Sequence, residues 1–276
     1  MLITDAQVHL WLAKPGQPPP TGAGTELRPE GHPPEELMVE MAEAGVHRAV
    51  IVPPGAVCTN EEAQGFCRAY PGRLAVMGAL DPEQRGVREQ LAGWLSRPHM
   101  LGARLSFSSG GVLKPSFDDG TLDWFWADAE RLQIPLMILV GGMAGRTYAI
   151  AERHPRLTLI IDHMARPSRA AGAGSWTDLD DLLRLAKLSN VHVKLSSAPN
   201  YSDEPYPYKD IHPHLRRIYD AFGPRRLMWG TDLTRLRGSY RESVLLFQEA
   251  LTFLSDEDRE WILGKSLAET LEWPED

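Results

Sequence analysis

Short apolar segments alternate along the chain with longer segments in which apolar positions recur every three or four residues. The first pattern is typical of buried strands and the second of amphipathic helices. Eight segments are predicted as strands, over residues 2–10, 49–53, 74–79, 101–107, 136–140, 157–163, 191–196 and 227–232. Helices are predicted over residues 34–44, 86–95, 123–132, 144–153, 179–188, 208–222, 240–253 and 256–271.

The order of these elements predicts the fold class. Strands alternate with helices throughout, which indicates parallel βαβ units. Eight units in an unbroken series favour an α/β fold of the closed (β/α)8 kind, a TIM barrel, over an open doubly wound sheet. The chain has 276 residues, which one barrel commonly spans, and no repeat or change of composition marks a boundary. We therefore expect a single domain over residues 1–276.

Two segments interrupt the regular spacing. Residues 14–34 are rich in proline and glycine and are predicted as a long loop after strand one. Residues 199–213 carry several tyrosines, prolines and acids and are predicted as a second long loop, after strand seven. In a TIM barrel both loops lie at the carboxyl ends of the strands, where active sites are built. We expect them to shape the site, although the sequence does not say which substrate they select.

The charge balance limits the partners. The chain has 37 Asp and Glu against 29 Lys and Arg, a formal net charge of −8. This excess argues against nucleic acid or an anionic membrane as a partner. A small anionic substrate remains compatible with it, because a local arginine can outweigh a diffuse negative field.

The sequence also bears on location. The first residues lack a basic stretch followed by an apolar one, and no segment reaches the roughly 18 apolar residues of a membrane span. The only two cysteines, Cys58 and Cys67, do not form a secreted disulfide pattern. We expect a cytoplasmic protein without a membrane partner. The oligomeric state stays open, and a homo-oligomer is compatible with the sequence.

Ionisable residues stand at the ends of several predicted strands, where an apolar barrel gives them no structural reason to be. His163 ends strand six and Asp232 ends strand eight. On strand one, Gln7 and His9 share a face, because alternate side chains of a strand point the same way. A carboxylate beside an imidazole suits general base catalysis on water. These residues are therefore the predicted centre of an active site.

Arg104 ends strand four, and its planar guanidinium suits a carboxylate or a developing oxyanion. Lys194 lies in strand seven. Both also have a structural interpretation as ion-pair partners of nearby acids. In the same way, Asp232 could cap the following helical turn, and His9 could be a polar plug at the barrel mouth.

The sequence further resembles a known group, the amidohydrolase-related family that includes L-fuconolactonase-like lactonases and 2-pyrone-4,6-dicarboxylate hydrolase. The motifs that carry the resemblance are Asp5-Ala-Gln-Val-His9-Leu-Trp11, Gly102-Ala-Arg104, Asp162-His163-Met-Ala-Arg166-Pro167, Val193-Lys194-Leu-Ser196 and Phe222-Gly-Pro-Arg-Arg-Leu-Met-Trp-Gly230-Thr-Asp232. They occur in the family's order along almost the whole chain. The resemblance implies a TIM barrel that hydrolyses a lactone or related ester, with the strand-eight Asp and the strand-six His leading catalysis.

Two departures from the family pattern concern a metal. Gln7 stands where the family has the first histidine of a His-x-His pair, and strand five ends in glycines without a ligand. The remaining ligands are His9, His163 and Asp232. A catalytic zinc site needs three or four ligands with one position open, and an amide oxygen is a poor ligand for zinc. We expect no metal cofactor, with zinc as the alternative.

Our leading hypothesis is a metal-independent hydrolase acting on a lactone or cyclic ester that carries a carboxylate. Asp232 would deprotonate the attacking water, and His163 would polarise the carbonyl or orient the water. His9 and Gln7 would hydrogen-bond the developing oxyanion. The candidates for binding the rest of the substrate are Arg104, Arg166 and Lys194, through charge, and Tyr201, through a hydrogen bond or ring stacking.

Two other hypotheses stay open at this point. One is a metal-dependent amidohydrolase or decarboxylase, in which zinc or manganese is held by His9, His163 and Asp232. The other is a catalytically silent barrel that binds a small ligand or acts as a partner subunit. Gln7 favours this last hypothesis, whereas a binder has no need of a carboxylate on strand eight.

Overall fold

The computed structural model describes residues 1–13, 28, 30–55, 57–109, 112–167 and 172–274. Eight strands form one sheet in which each pairs with the next in chain order, and every ladder is parallel. They are β1 (Thr4–Val8), β2 (Arg48–Ile51), β3 (Leu74–Ala79), β4 (Met100–Ser106), β5 (Leu136–Leu139), β6 (Leu159–Ile161), β7 (Val191–Lys194) and β8 (Leu227–Met228). Each overlaps a predicted strand.

Backbone hydrogen bonds join the first strand to the last. Ala6 donates its N–H to the carbonyl of Trp229 at 3.1 Å, and Asp232 donates to the carbonyl of Gln7 at 2.9 Å. The sheet therefore closes on itself, as the right-handed twist of a parallel sheet allows at eight strands. The predicted TIM barrel is confirmed.

A buried carboxylate strengthens this seam. The Asp5 side chain in β1 accepts hydrogen bonds from the Thr231 amide at 2.9 Å and from the Tyr240 hydroxyl at 2.9 Å, both beyond β8. Burial raises the pKa of Asp5 to about 6, against the lowering effect of these hydrogen bonds. Asp5 thus joins the two ends of the sheet at a buried position.

Helices cover the outside of the barrel. Within the described residues they are α1 (Pro34–Ala44), α2 (Asn60–Ala69), α3 (Val87–Leu91), α4 (Asp123–Arg131), α5 (Tyr148–Arg153), α6 (Leu179–Arg184), α7 (His212–Phe222), α8 (Tyr240–Leu245), α9 (Asp256–Glu260) and α10 (Ser266–Thr270). Capping boxes begin three of them, at Thr59, Ser239 and Ser255. In each, the hydroxyl accepts a hydrogen bond from the amide three residues on, which satisfies a donor that the helix leaves free.

Several helices differ from their predicted spans. Helix α2 is not among the predicted helices. The predicted helices over 240–253 and 256–271 are interrupted by π-helical turns at Leu246–Ala250 and Trp261–Lys265, and that over 144–153 begins with a 3-10 turn. Periodicity alone does not distinguish these tighter and wider turns from an α-helix. None of the helices in the described ranges has both the length and the apolarity needed to cross a bilayer.

The predicted loops are described in part. Most of the 14–34 segment lies outside the described residues; within it, Gly31–His32 pairs antiparallel with Trp11–Leu12. The 199–213 segment is less irregular than predicted. It contains 3-10 turns, Ala198–Tyr201 and Lys209–Ile211, and α7 begins inside it.

Close packing between β4 and its neighbours fixes the position of Arg104. A Cβ atom added at Gly102 would lie 2.4 Å from the Pro135 carbonyl oxygen and 2.7 Å from Met77 Cε. The backbone of β5 and a side chain of β3 therefore both require a glycine here.

The Gly102→Ala substitution should lower the free energy of unfolding by about 1–3 kcal/mol, because the backbone oxygen of Pro135 has no room to move. Gly93→Ala is the matched control, since a Cβ there meets nothing within 4 Å. Urea denaturation of both variants measures the difference. Equal stabilities would contradict the packing described for β4.

Candidate active site

Four predicted site residues meet at the carboxyl ends of the strands. Gln7 lies in β1 and His9 just beyond it, while His163 follows β6 and Asp232 follows β8. They converge on the amide nitrogen of Gln7. Its Nε2 atom lies 3.4 Å from His9 Nε2, 3.3 Å from His163 Nε2 and 3.3 Å from Asp232 Oδ1. All four side chains are buried.

His9 links this cluster to the neighbouring strand. Its Nδ1 atom lies 2.6 Å from the carbonyl oxygen of Val52, and its Nε2 atom lies 2.9 Å from Asp232 Oδ1. Both partners are acceptors, so both contacts are hydrogen bonds only when His9 is a doubly protonated imidazolium. The arrangement therefore supports an ion pair between His9 and Asp232.

Asp232 is held as a carboxylate. Burial by itself raises the pKa of this carboxyl, but the hydrogen bond from His9 and the positive charges nearby hold the pKa well below its usual range. Oδ1 is the oxygen that His9 contacts. The closest partners of Oδ2 among the described residues are Ser197 Oγ at 3.5 Å and His163 Nε2 at 3.9 Å. Oδ2 is thus the oxygen available to a water.

His163 is held in its neutral form. Burial lowers the pKa of its imidazole to about 4, against the opposing effect of Asp232 and Asp162. The Nδ1 atom lies 2.8 Å from the hydroxyl of Ser196. Because Nε2 faces the amide nitrogen of Gln7, which donates, the ring proton belongs on Nδ1 and the lone pair on Nε2.

Behind these residues lies a chain of charged side chains that links β4, β6 and β7. Lys194 Nζ lies 2.7 Å from Asp162 Oδ1, and Arg104 Nε lies 3.1 Å from Asp162 Oδ2. Burial would raise the pKa of Asp162, yet the charges of Lys194 and Arg104 bring it down to about 2. Arg104 and Lys194 are therefore both ion-pair partners of an acid, as their structural interpretation predicts.

Arg104 and Lys194 differ in their exposure. The Arg104 side chain is 18% exposed, and the hydrogen bond that the described residues give it uses Nε only. Its two terminal nitrogens therefore remain available for an anion. The Lys194 side chain is fully buried, and it also donates to Gln7 Oε1.

The other two predicted substrate-binding residues lie to one side of the cluster. The guanidinium of Arg166 is buried and hydrogen-bonds the carbonyls of Met164 and Ser175 and the carboxylate of Asp178. Tyr201 is buried with its ring edge-on to Trp176, at 6.1 Å between centroids. Burial and the charge of Asp232 raise the pKa of Tyr201, which keeps its hydroxyl protonated.

The backbone at the cluster adopts a conformation that L-residues rarely take. His163, Met164 and Ala165 have φ of 50°, 54° and 53°, and Asp232 has φ of 56°. The left-handed region costs a non-glycine residue free energy, and such strain concentrates at functional sites. Both strands also end earlier than predicted: β6 ends at Ile161, two residues before His163, and β8 ends at Met228, four residues before Asp232. As for capping, the Asp232 side chain makes no capping hydrogen bond to the turn that follows.

Four further residues contact the site but had no predicted role. Asp162 and Ser196 lie within the family motifs, close to the predicted site residues His163 and Lys194. This proximity in the sequence could have identified them as site residues. Ser197 lies 3.4 Å from His163 Nδ1 through its hydroxyl, and Val52 contributes only a carbonyl. No sequence pattern reports a backbone carbonyl, so Val52 could not have been found.

The sequence profile of the family described as "Amidohydrolase" matches residues 4–266. This chain belongs to the amidohydrolase family. The resemblance proposed from the motifs is thereby confirmed, and with it the expectation of a hydrolase.

Characterised relatives of this amidohydrolase are named as lactone hydrolases. The L-fucono-1,5-lactonase of Burkholderia ambifaria is 28% identical over 86% of this chain and 82% of its own length. The 4-sulfomuconolactone hydrolase of Hydrogenophaga intermedia is 24% identical over 81% of this chain and 72% of its own length.

Solved structures share the fold. A Burkholderia multivorans amidohydrolase with bound zinc has a TM-score of 0.82 at 23% identity, covering 99% of this chain and all of its own. A putative 2-pyrone-4,6-dicarboxylic acid hydrolase from Pseudomonas putida has a TM-score of 0.76 at 19% identity, covering 100% and 99%. At these identities the likeness supports the barrel and nothing finer.

The donor atoms of this amidohydrolase do not fit a zinc ion. The point at which His9, His163 and Asp232 converge is faced by the Gln7 amide nitrogen, which is not a metal ligand. The Gln7 oxygen accepts a hydrogen bond from the Lys194 ammonium, whose charge repels a cation. Among the described residues, no group of three or more His, Cys, Asp or Glu is arranged to hold a metal.

Asp162→Asn should lower the free energy of unfolding at pH 7 by about 3–5 kcal/mol, because it leaves the Lys194 ammonium buried without its counter-charge. The Asp162 pKa falls from 3.8 to about 2 on folding. Its contribution is therefore fully present above pH 3.8 and disappears as the pH falls toward 2. Urea denaturation at several pH values should show the variant approaching the parent protein in acid.

Asp220→Asn is the control, since that carboxylate pairs with Arg216 on α7 and both side chains are half exposed. It should change the stability by less than about 1 kcal/mol. A loss in Asp162→Asn no larger than this would contradict the buried pair.

Proposed function

We propose that this amidohydrolase hydrolyses a lactone or cyclic ester that carries a carboxylate, without a metal ion. The observation that carries the proposal is the convergence of Asp232, His163 and His9 around the Gln7 amide nitrogen. The names of the relatives support a lactone as the substrate class. Two of these proteins, the 4-sulfomuconolactone hydrolase and the putative 2-pyrone-4,6-dicarboxylic acid hydrolase, are named for anionic substrates.

Asp232 acts as the general base on water. Its Oδ2 atom and His163 Nε2 are 3.9 Å apart, so one water can hydrogen-bond both at ordinary distances. The carboxylate takes one hydrogen of that water, and the imidazole lone pair accepts the other once the Gln7 N–H that faces it has turned to the substrate oxygen. The low pKa of Asp232 keeps it ionised over the physiological range, at some cost in basicity.

The water oxygen then attacks the ester carbonyl and a tetrahedral oxyanion forms. Gln7 Nε2 carries two N–H groups at this position, and His9 Nε2 lies next to it. Donors fixed in advance at a developing oxyanion are a large source of rate acceleration. The ring C–O bond then breaks, the leaving oxygen takes the proton from Asp232, and a hydroxy acid is released.

Arg104 binds the substrate's carboxylate. Its Nε atom is fixed by Asp162, which leaves the two terminal nitrogens in the planar arrangement that suits a carboxylate. Its position in β4 places it on the same buried charge network as the reacting groups. A neutral lactone lacks the group that Arg104 would recognise.

Asp232→Asn should lower kcat by about a thousandfold on the best lactone, because the amide cannot accept the proton of water. KM should change little. The lactone is found by a pH-indicator assay with L-fucono-1,5-lactone, 4-sulfomuconolactone and 2-pyrone-4,6-dicarboxylate. Asp220→Asn, on the outer surface, controls for the substitution type. A kcat near the parent value in Asp232→Asn would rule out the proposed base.

Arg104→Gln should raise KM at least about tenfold for an anionic lactone, through loss of a charged hydrogen bond. The effect should be small for the uncharged L-fucono-1,5-lactone, which serves as the internal control. Steady-state kinetics on both substrates measure it. Equal changes of KM for the two would contradict a role in carboxylate binding.

A further inference from the structure

The structure assigns Lys194 a role other than anion binding: we propose that it is a positioning residue that orients the Gln7 amide, so that the N–H groups of Gln7 face the reacting oxygen. This inference concerns how the site is set up and rests on the proposed hydrolase function for its kinetic part. It differs from the sequence-based expectation that Lys194 contacts the substrate.

Lys194 has no access to a substrate. Its side chain is fully buried inside the barrel. An ammonium has three N–H donors, and here it contacts three partners. They are Asp162 Oδ1 at 2.7 Å, Met137 Sδ at 3.3 Å and Gln7 Oε1.

The contact with Gln7 decides which way the amide points. The oxygen and nitrogen of a glutamine side chain are similar in shape, so shape alone does not select one orientation. Lys194 only donates hydrogen bonds. A turned amide would place NH2 against NH3⁺, whereas the observed orientation gives the ammonium an acceptor. Lys194 therefore holds the Gln7 nitrogen toward His163 and Asp232.

The Gln7 N–H groups are held there without strong partners. Nε2 lies 3.3 Å from both His163 Nε2 and Asp232 Oδ1, which is long for hydrogen bonds to such acceptors. A substrate oxygen that becomes negative is a better acceptor and can replace either contact. Catalytic hydrogen bonds are often long before the substrate arrives and shorten in the transition state.

The same orientation fixes the tautomer of His163. An N–H aimed at Nε2 requires a lone pair there, and the Ser196 hydroxyl accepts the proton carried by Nδ1, at 2.8 Å. If Gln7 turned over, its oxygen would face Nε2 and favour the opposite tautomer. The tautomer of His163 is therefore a readout of the Gln7 orientation that does not depend on catalysis.

The test is a double-mutant cycle of Lys194→Met and Gln7→Met, with kcat and KM measured on an anionic lactone. Each single variant should lower kcat by about a hundredfold, the usual effect of losing one oxyanion donor, with KM within about threefold. The double variant should be no slower than the slower single one, because Lys194 acts only through Gln7. Lys187→Met, at an exposed position before β7, controls for loss of a lysine.

The second readout is ¹⁵N NMR of histidine-labelled protein. In the parent protein His163 should carry its proton on Nδ1, and in Lys194→Met a substantial fraction should carry it on Nε2. Lys194→Met leaves Asp162 paired with Arg104 alone. If it does not fold, Asp162→Asn is added only to the members that carry Lys194→Met, which removes the buried acid along with the lysine and leaves the parent protein and Gln7→Met unchanged.

Three results would overturn the proposal. One is an increase of KM with unchanged kcat in Lys194→Met, which would mean that the ammonium binds the anion. Another is independent effects that multiply to about 10⁴ in the double variant. The third is an unchanged His163 tautomer in Lys194→Met. The NMR result stands even when no lactone is hydrolysed by the parent protein, so failure of the proposed function is distinguishable from failure of this inference.

Discussion

The ion pair between Lys194 and Asp162 is the constraint on which the site depends. Both side chains are fully buried, and neither charge would be tolerated there without the other. The pair joins the residue after β6 to the end of β7 in the barrel interior and leaves one donor of the ammonium for Gln7. On the other side it fixes Nε of Arg104. Gln7, through Lys194, and Arg104 are thereby tied to one buried carboxylate.

A consequence of this arrangement is that positive charge is supplied to the site by side chains. Here His9 pairs with Asp232 at 2.9 Å, while the Lys194 ammonium stands one residue further back, behind Gln7. Gln7 separates the two charged pairs and presents a neutral donor at the centre.

The fold could be predicted from the sequence in most respects, because eight apolar runs alternate with amphipathic ones and each strand of the barrel overlaps a predicted one. The positions at which the strands end could not be predicted. β6 and β8 were expected to include His163 and Asp232, but the strands end at Ile161 and Met228, and both residues take left-handed backbone angles that a strand does not contain. Those angles are imposed by tertiary contacts and leave no trace in local hydrophobicity. The π-helical turns in the last two predicted helices escaped for the same reason.

The candidate site was predictable as a set of residue types at strand ends, and the structure brings His9, His163, Asp232 and Gln7 together. The ion-pair network behind them, formed by Lys194, Asp162 and Arg104, was not predictable. Lys194 and Arg166 are both cationic and both stand near strand ends, yet one faces Asp162 and the other Asp178. Which acid a buried cation meets depends on packing across the barrel, and sequence spacing does not report it. Ser196 contacts His163, and the carbonyl of Val52 contacts His9. The sequence alone does not predict either contact.

The seam between β1 and β8 has a consequence for the order of events during synthesis. Asp5 and Gln7 belong to the first strand made, whereas Thr231 and Asp232 follow the last, 226 and 225 residues later. A nascent chain carries an unpaired first strand until its final strand emerges, and contacts of such long sequence separation form slowly. The acid and the amide become neighbours only at that last step. Incomplete chains therefore lack the assembled cluster and are exposed to association through the open edge of the sheet.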